Sequence, residues 1–263
     1  MMLLNILHIR GSLLTLSSYN LEDTFDVVVG DPSSPESKRF SLHTSVFVAH
    51  SGFLAAARKP EWIALNPGNP VDLKDEDPEL FQAYMNCTYF GFETIENWVD
   101  SFKFPAQAQT SANAEQTAQE ALFTKLIKLY LLCLKLIDFK AANMVVDEIV
   151  RFGDKAGSIP LLGPTSLAYG NTVEGAPLRN LIRDYWMYES SNVERQALRA
   201  EEFPVECLQG IALAVLERFD GLPLERADLA MSPRTLCLQD KCRYHLHDDK
   251  HPQCGVKVER DGM

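Results

Sequence analysis

The 263-residue sequence has no excess of positive charge: 25 Lys and Arg stand against 36 Asp and Glu, for a net charge of −11. That balance repels polyphosphate and anionic membrane, and no basic patch compensates it, so nucleic acid is not an expected partner. Long apolar runs are also missing. The nearest approach, residues 126–137, is interrupted by Lys128 and Lys135, short of the ~18 uninterrupted residues a spanning helix requires. The apolar stretch 3–16 lacks a basic leader and is broken by Asn5, His8, Arg10 and Gly11, which argues against a secretory signal. Also absent are Gly-x-Gly-x-x-Gly, Gly-x4-Gly-Lys-Ser/Thr, His-Glu-x-x-His and the Gly-x-Ser-x-Gly elbow, and with them the commonest nucleotide, metalloprotease and serine-hydrolase signatures. Cysteine is sparse. Cys87, Cys133 and Cys207 lie in apolar stretches, as reduced thiols do, while Cys237, Cys242 and Cys254 crowd the tail.

What is present reads as a mixed α+β chain. Phe25-Asp26-Val27-Val28-Val29-Gly30 is a β-branched run closed by glycine and followed by the turn chemistry of residues 31–35. A second strand is expected over residues 39–42. Beyond it, Val46, Phe53 and Leu54 recur at the spacing of two short helices, with Ser51-Gly52 as the break. Residues 70–73 read as a brief strand. Asp75-Glu76-Asp77-Pro78 then opens a helix carrying Leu80, Phe81, Tyr84 and Met85, which is expected to stop near Gly91.

Residues 105–119, rich in Ala, Gln, Thr, Ser and Asn, read as a mobile polar insert. Leu122, Leu126, Leu129, Cys133 and Leu136 then form one helical stripe, and Phe139, Met144, Val145 and Ile149 continue it after a break at Asp138. Residues 153–175 hold five glycines and two prolines and read as a connector. Residues 177–189 form an amphipathic helix. A last helix over about 204–219 is expected to turn Leu208, Ile211, Ala212, Val215 and Leu216 inward. Arg179, Arg183 and Arg195, beside Tyr185, Trp186 and Tyr188, read as the solvated edge of a core stripe rather than a nucleic-acid face.

These pieces, in this order, resemble the BTB/POZ family, and within it fungal BTB proteins with a helical C-terminal extension. The resemblance covers roughly residues 21–152. It is carried by the Phe25–Gly30 strand, Phe40-Ser41-Leu42-His43, Val46-Phe47, Ser51-Gly52-Phe53-Leu54, Val71-Asp72-Leu73, Asp77-Pro78 with Phe81, Tyr89-Phe90-Gly91, and the helix pair that follows. It implies a small three-stranded sheet capped by helical hairpins and an activity of association rather than catalysis. The expected partners are the chain itself, other proteins, a cullin ubiquitin-ligase scaffold or transcription regulators, in the cytoplasm or nucleus. Asp26, Phe40, His43, Val46, Ser51 and Phe53 are its structural motif. Asp26, His43 and Ser51 lie among apolar neighbours, where each needs a hydrogen-bond partner. Two family features are missing. Thr44 stands where co-repressor-recruiting members carry a basic residue, and only about two dozen residues precede the first strand where those members have a swapped helix. No cullin-binding hydrophobic-x-Glu motif aligns: the nearest candidate, Ile95-Glu96, lacks the spacing and reads as readily as an exposed loop. Phe90, Phe92 and Trp98 are candidates for a partner groove.

The organisation expected is therefore an N-terminal segment (1–20), a BTB/POZ-like domain (21–152), a helical extension (153–220) and a Cys/His-rich tail (221–263). In that tail, Cys242, His245, His251 and Cys254 form two pairs whose spacing could wrap a tetrahedral zinc, with His247 or Cys237 as substitutes. A tail so short of apolar residues gains order from such a staple, because metal binding supplies folding free energy.

Overall fold

Alternation of apolar and polar residues makes Thr24–Val29 (β1) the central strand: Phe25, Val27 and Val29 are buried, and Asp26 and Val28 face outward. The computed structural model describes residues 20–65, 67–102, 112–191, 194–199, 202–221, 232–248 and 254. Lys38–His43 (β2) pairs with β1 in antiparallel register, Asp26 opposite Ser41 and Val27 opposite Phe40. Val71–Leu73 (β3) lies parallel to β1 on its other edge, giving the order β2-β1-β3. A parallel neighbour requires a crossover, and three short helices supply it: Thr44–His50 (α1), Gly52–Ala57 (α2) and Pro60–Leu65 (α3).

Ser51 separates α1 from α2 and does more than cap. Its Oγ accepts from Leu54 N at 3.0 Å and donates to Leu136 O at 2.6 Å, far along the chain. The neighbouring amides of Gly52 and Phe53 donate to Ile137 O and Leu136 O, each at 3.1 Å. Glycine at position 52 suits this close approach, since a Cβ there would meet Ile137 Cγ2 at 3.0 Å and Ile137 would have to give way. Ile137 itself sits at φ 53°, an expensive conformation for a β-branched residue, held by those bonds from both sides.

Pro78–Phe90 (α4) starts where the acidic turn indicates, with Asp77 Oδ1 accepting from Glu79 N at 2.7 Å, and ends at Gly91. Glu93–Asp100 (α5) follows. Ile95, read either as part of a partner motif or as an exposed loop, is 1% exposed in α5, because Ile95 and Val99 lie one helical turn apart on its inner face. Ala112–Lys135 (α6) and Phe139–Ala156 (α7) form the long hairpin. The polar insert expected over 105–119 is helical from 112 onward. Ala, Gln and Glu are strong helix formers, and Ala118 is already buried at that end; residues 105–111 lie outside the described residues.

The glycine-rich stretch 153–175 is likewise no simple connector. Gly157 ends α7 in the left-handed conformation, and Leu162–Asn171 (α8) follows. Buried Thr165 fixes α8 by donating to Pro160 O and accepting from Trp186 Nε1, both at 3.0 Å. Pro177–Tyr188 (α9) buries Leu178, Leu181, Ile182, Tyr185 and Trp186. Its arginines serve the chain itself: Arg179 bonds Thr172 and Tyr169, Arg183 bonds Asp184, and Arg195 bonds Ser190. A 3-10 helix, Glu194–Arg199, leads to Val205–Gly221 (α10). Here the inward stripe fails in part. Leu208 and Ile211 pack on the core, but Ala212 is exposed and Leu216 is 59% exposed, because α10 leans on α9 and leaves its later turns outside. Pro233–Gln239 (α11) packs against α7 and α9. One buried cluster runs from Phe25 to Tyr244.

Ser51→Ala is expected to cost about 2 kcal/mol, a lost cap plus a lost buried hydrogen bond. Ser41→Ala, on the exposed face, is expected to stay within about 0.5 kcal/mol. Urea unfolding of both variants measures the difference, and equal midpoints would contradict it.

Candidate functional site

The motif residues of the sheet are engaged separately. Ser41 Oγ donates to Asp26 Oδ1 at 2.6 Å and Arg39 Nη1 donates to Oδ2 at 3.1 Å, which hold the Asp26 carboxyl below its ordinary range. The His43 ring meets the Tyr89 hydroxyl at 2.7 Å, and Ser51 serves Leu54 and Leu136. Asp, His and Ser thus each pair with a different group. Phe40 and Val46 are buried, and Phe53 is half-buried against the core. Outside them, an open groove of about 1140 Å³ runs between β1, α2 and α3, lined by Val28, Phe53, Arg58, Trp62, Ile63 and Val71. Trp62 is 57% exposed there. Of the other aromatic candidates, Phe90 is exposed, whereas Trp98 packs on the core and Phe92 is half-buried.

The concentrated chemistry lies in the tail. Ser232 caps α11 by accepting from Thr235 N at 3.1 Å, and after the helix Asp240 Oδ1 accepts from Cys242 N at 2.9 Å, turning the chain back. Tyr244 then enters the core, fully buried, and its hydroxyl donates to Asp184 Oδ2 at 2.7 Å. Arg243 Nη2 donates to the same oxygen at 3.0 Å, and Arg183 Nη2 donates to Oδ1 at 2.8 Å. Asp184 is therefore a buried carboxylate satisfied from two elements, α9 and the tail. Asn143 of α7 holds the next residue by its backbone: its Oδ1 accepts from Leu246 N at 2.7 Å and its Nδ2 donates to Leu246 O at 2.9 Å. In extended chain, residues either side of such an anchor share a face. His245 and His247 do, with ring centroids 6.0 Å apart.

Facing them, Cys242, His247 and Cys254 bring one ligand atom each within 4.8 Å of one another, a set that could hold a metal ion. Cys242 and Cys254 fall where the sequence places them, and His247, one of the substitutes, completes the trio in place of His245, which is not among the clustered atoms. His251 lies outside the described residues. Cys237, the other substitute, is not among the clustered atoms; it faces the core from α11, where burial pushes its thiol up to about 11. Cys254 N donates to Cys242 Sγ at 3.1 Å. Burial, followed by the neighbouring Cys242, raises the Cys254 thiol, and a cation between the two sulfurs would reverse the second effect. Asn143, Asp147 and Asp184, which organise the tail, were missed in the sequence. Their signal was polar residues set at helical spacing among apolar ones.

Comparison with protein-family models, with curated proteins and with solved structures returned no match. Among the described residues, no helix is long and apolar enough to cross a membrane.

Thiol reactivity separates the tail from the core. Burial raises Cys87 to about 12, so at pH 8 only about one molecule in ten thousand carries its thiolate, and Cys133 and Cys207 are raised by the same cause. Metal-free native protein treated with iodoacetamide at pH 8 is expected to label Cys242 and Cys254 first and Cys87 only on unfolding, read by peptide mass spectrometry. Equal labelling of Cys87 would contradict this.

Proposed function

We propose that the chain is a non-catalytic protein-interaction module of the BTB/POZ type, acting as scaffold or adaptor, with a zinc-stapled tail. The observation that carries the reading is the central strand β1, antiparallel to β2 and parallel to β3, with helices α1 to α3 as crossover, α4 meeting the sheet through Phe81 on Phe40, and the α4–α5 and α6–α7 pairs packed on one another. A small three-stranded sheet with helices beside it is what the sequence resemblance implies for residues 21–152, and the mixed α+β architecture supports that reading. The groove beside β1 supports association: its rim presents Trp62, of a residue type enriched in binding hot spots, between Arg58 and Val71. Ile95-Glu96 lacks the hydrophobic-x-Glu spacing and Ile95 is buried, which gives the ligase-adaptor reading no support at that position, and the general scaffold reading is put first. For the tail, two thiolates and imidazole are the ligand set that zinc favours, and magnesium or calcium does not.

The test is quantitative affinity purification of the native chain beside Trp62→Ala, an exposed substitution expected to leave stability within about 0.5 kcal/mol. The expected outcome is self-association, or a stoichiometric partner retained by the native chain, that is weakened at least tenfold in the variant. A strictly monomeric chain with no stoichiometric partner would overturn the scaffold reading.

A further inference from the structure

Of the tail histidines, His245 is held in the more telling way. Its Nε2 lies 2.9 Å from Asp147 Oδ1 on α7, and its Nδ1 lies 3.2 Å from Cys254 Sγ. A carboxylate accepting from Nε2–H selects the tautomer whose Nδ1 carries the lone pair, and that lone pair faces Cys254 Sγ. Sulfur and nitrogen ligands of one tetrahedral zinc stand about 3.6 Å apart, given bonds of about 2.3 and 2.05 Å, a spacing the His245–Cys254 pair approaches; His245 is not among the atoms that lie within 4.8 Å of one another at Cys242, His247 and Cys254, so binding requires its ring to move toward the other two. The His245 side chain is only 8% exposed, and Asn143 fixes the backbone beside it. The carboxylate–histidine pairing is the outer-shell arrangement that orients a metal-bound imidazole and raises its basicity.

We infer that His245 is the fourth ligand of a Cys242–His245–His247–Cys254 centre, with Asp147 as its positioning carboxylate, and that the ion thereby latches the tail onto α7. This rests on the zinc reading above and goes beyond it in assigning the metal a conformational task. The latched segment has a function in the core: Tyr244 fills a fully buried position, and with Arg243 it supplies the tail's share of the bonds to Asp184. Loss of the ion frees the chain on both sides of Leu246, so Tyr244 leaves more readily and Asp184 on α9 keeps Arg183 as its partner on that helix. Metal occupancy is in this way read out in the packing of α7 and α9.

The experiment uses the full chain, stripped of metal and titrated with zinc against a chromophoric chelator, with hydrogen exchange followed in both states. The native chain is expected to bind one zinc and to slow amide exchange in 140–150 and 240–248 at least tenfold. His245→Ala is expected to lose at least 100-fold in zinc affinity, and Asp147→Asn to lose 10- to 100-fold while retaining a tetrahedral cobalt spectrum. Asp75→Asn, an exposed carboxylate ahead of α4, should bind as the native chain does. Asp147 is half exposed, so its variant remains informative if His245→Ala folds poorly. One zinc bound with unchanged affinity in His245→Ala and Asp147→Asn, or with unchanged exchange in 140–150, would overturn this inference and leave the zinc reading intact. A native chain that takes up no zinc would overturn both.

Discussion

The structure depends on how the turn between α6 and α7 disposes of its buried polar groups. A helical hairpin of this length leaves carbonyls at the end of one helix and amides at the start of the next, and here both lie inside the protein. Asp138 answers the amides by accepting from Ala141 N at 2.9 Å, and it also accepts from the Tyr84 hydroxyl of α4 at 3.1 Å. Ser51, Gly52 and Phe53 answer the carbonyls of Leu136 and Ile137 from the sheet-bearing half of the chain. The two halves cannot be separated without orphaning several groups, each worth about 1–3 kcal/mol when buried and unpaired. The break between α1 and α2 is thus a joint built for the α6–α7 turn.

From that joint, α7 runs as a wall shared by the whole molecule. Its apolar face, Val145, Val146, Ile149 and Phe152, belongs to the core, while Asn143, Asp147 and Asp154 form a polar stripe that receives the tail. Arg151 adds a third contact, bonding buried Glu148 and reaching Asp100 of α5 at 3.0 Å. Among the described residues, the tail docks through a small apolar set, chiefly Leu236, Cys237, Tyr244 and Leu246. Directional bonds add to what that burial supplies, and under the proposed metal reading the docking becomes conditional on the ion.

The strands were legible because a period of two and closing turns leave little choice, and the Asp77-Pro78 helix start because capping chemistry is local. Segments whose structure comes from distant contacts were harder to read. Residues 162–171 look like a connector by their glycines, yet form a helix because Thr165 finds Pro160 and Trp186. The later turns of α10 carry an apolar stripe but no neighbour to cover it. In the tail, composition pointed to Cys242 and Cys254. The preference for His247 depends on Asn143 pinning Leu246, a contact between residues 103 positions apart that spacing cannot reveal.

The account's central claim is that a Cys2His2 metal centre joins the tail to α7. X-ray absorption at the zinc edge on the protein as purified tests it most directly. The expected shell is two sulfurs at about 2.3 Å and two imidazole nitrogens at about 2.0–2.1 Å in tetrahedral coordination. A shell of oxygen and nitrogen without sulfur, or protein that carries no zinc and acquires none when it is offered, would contradict the account.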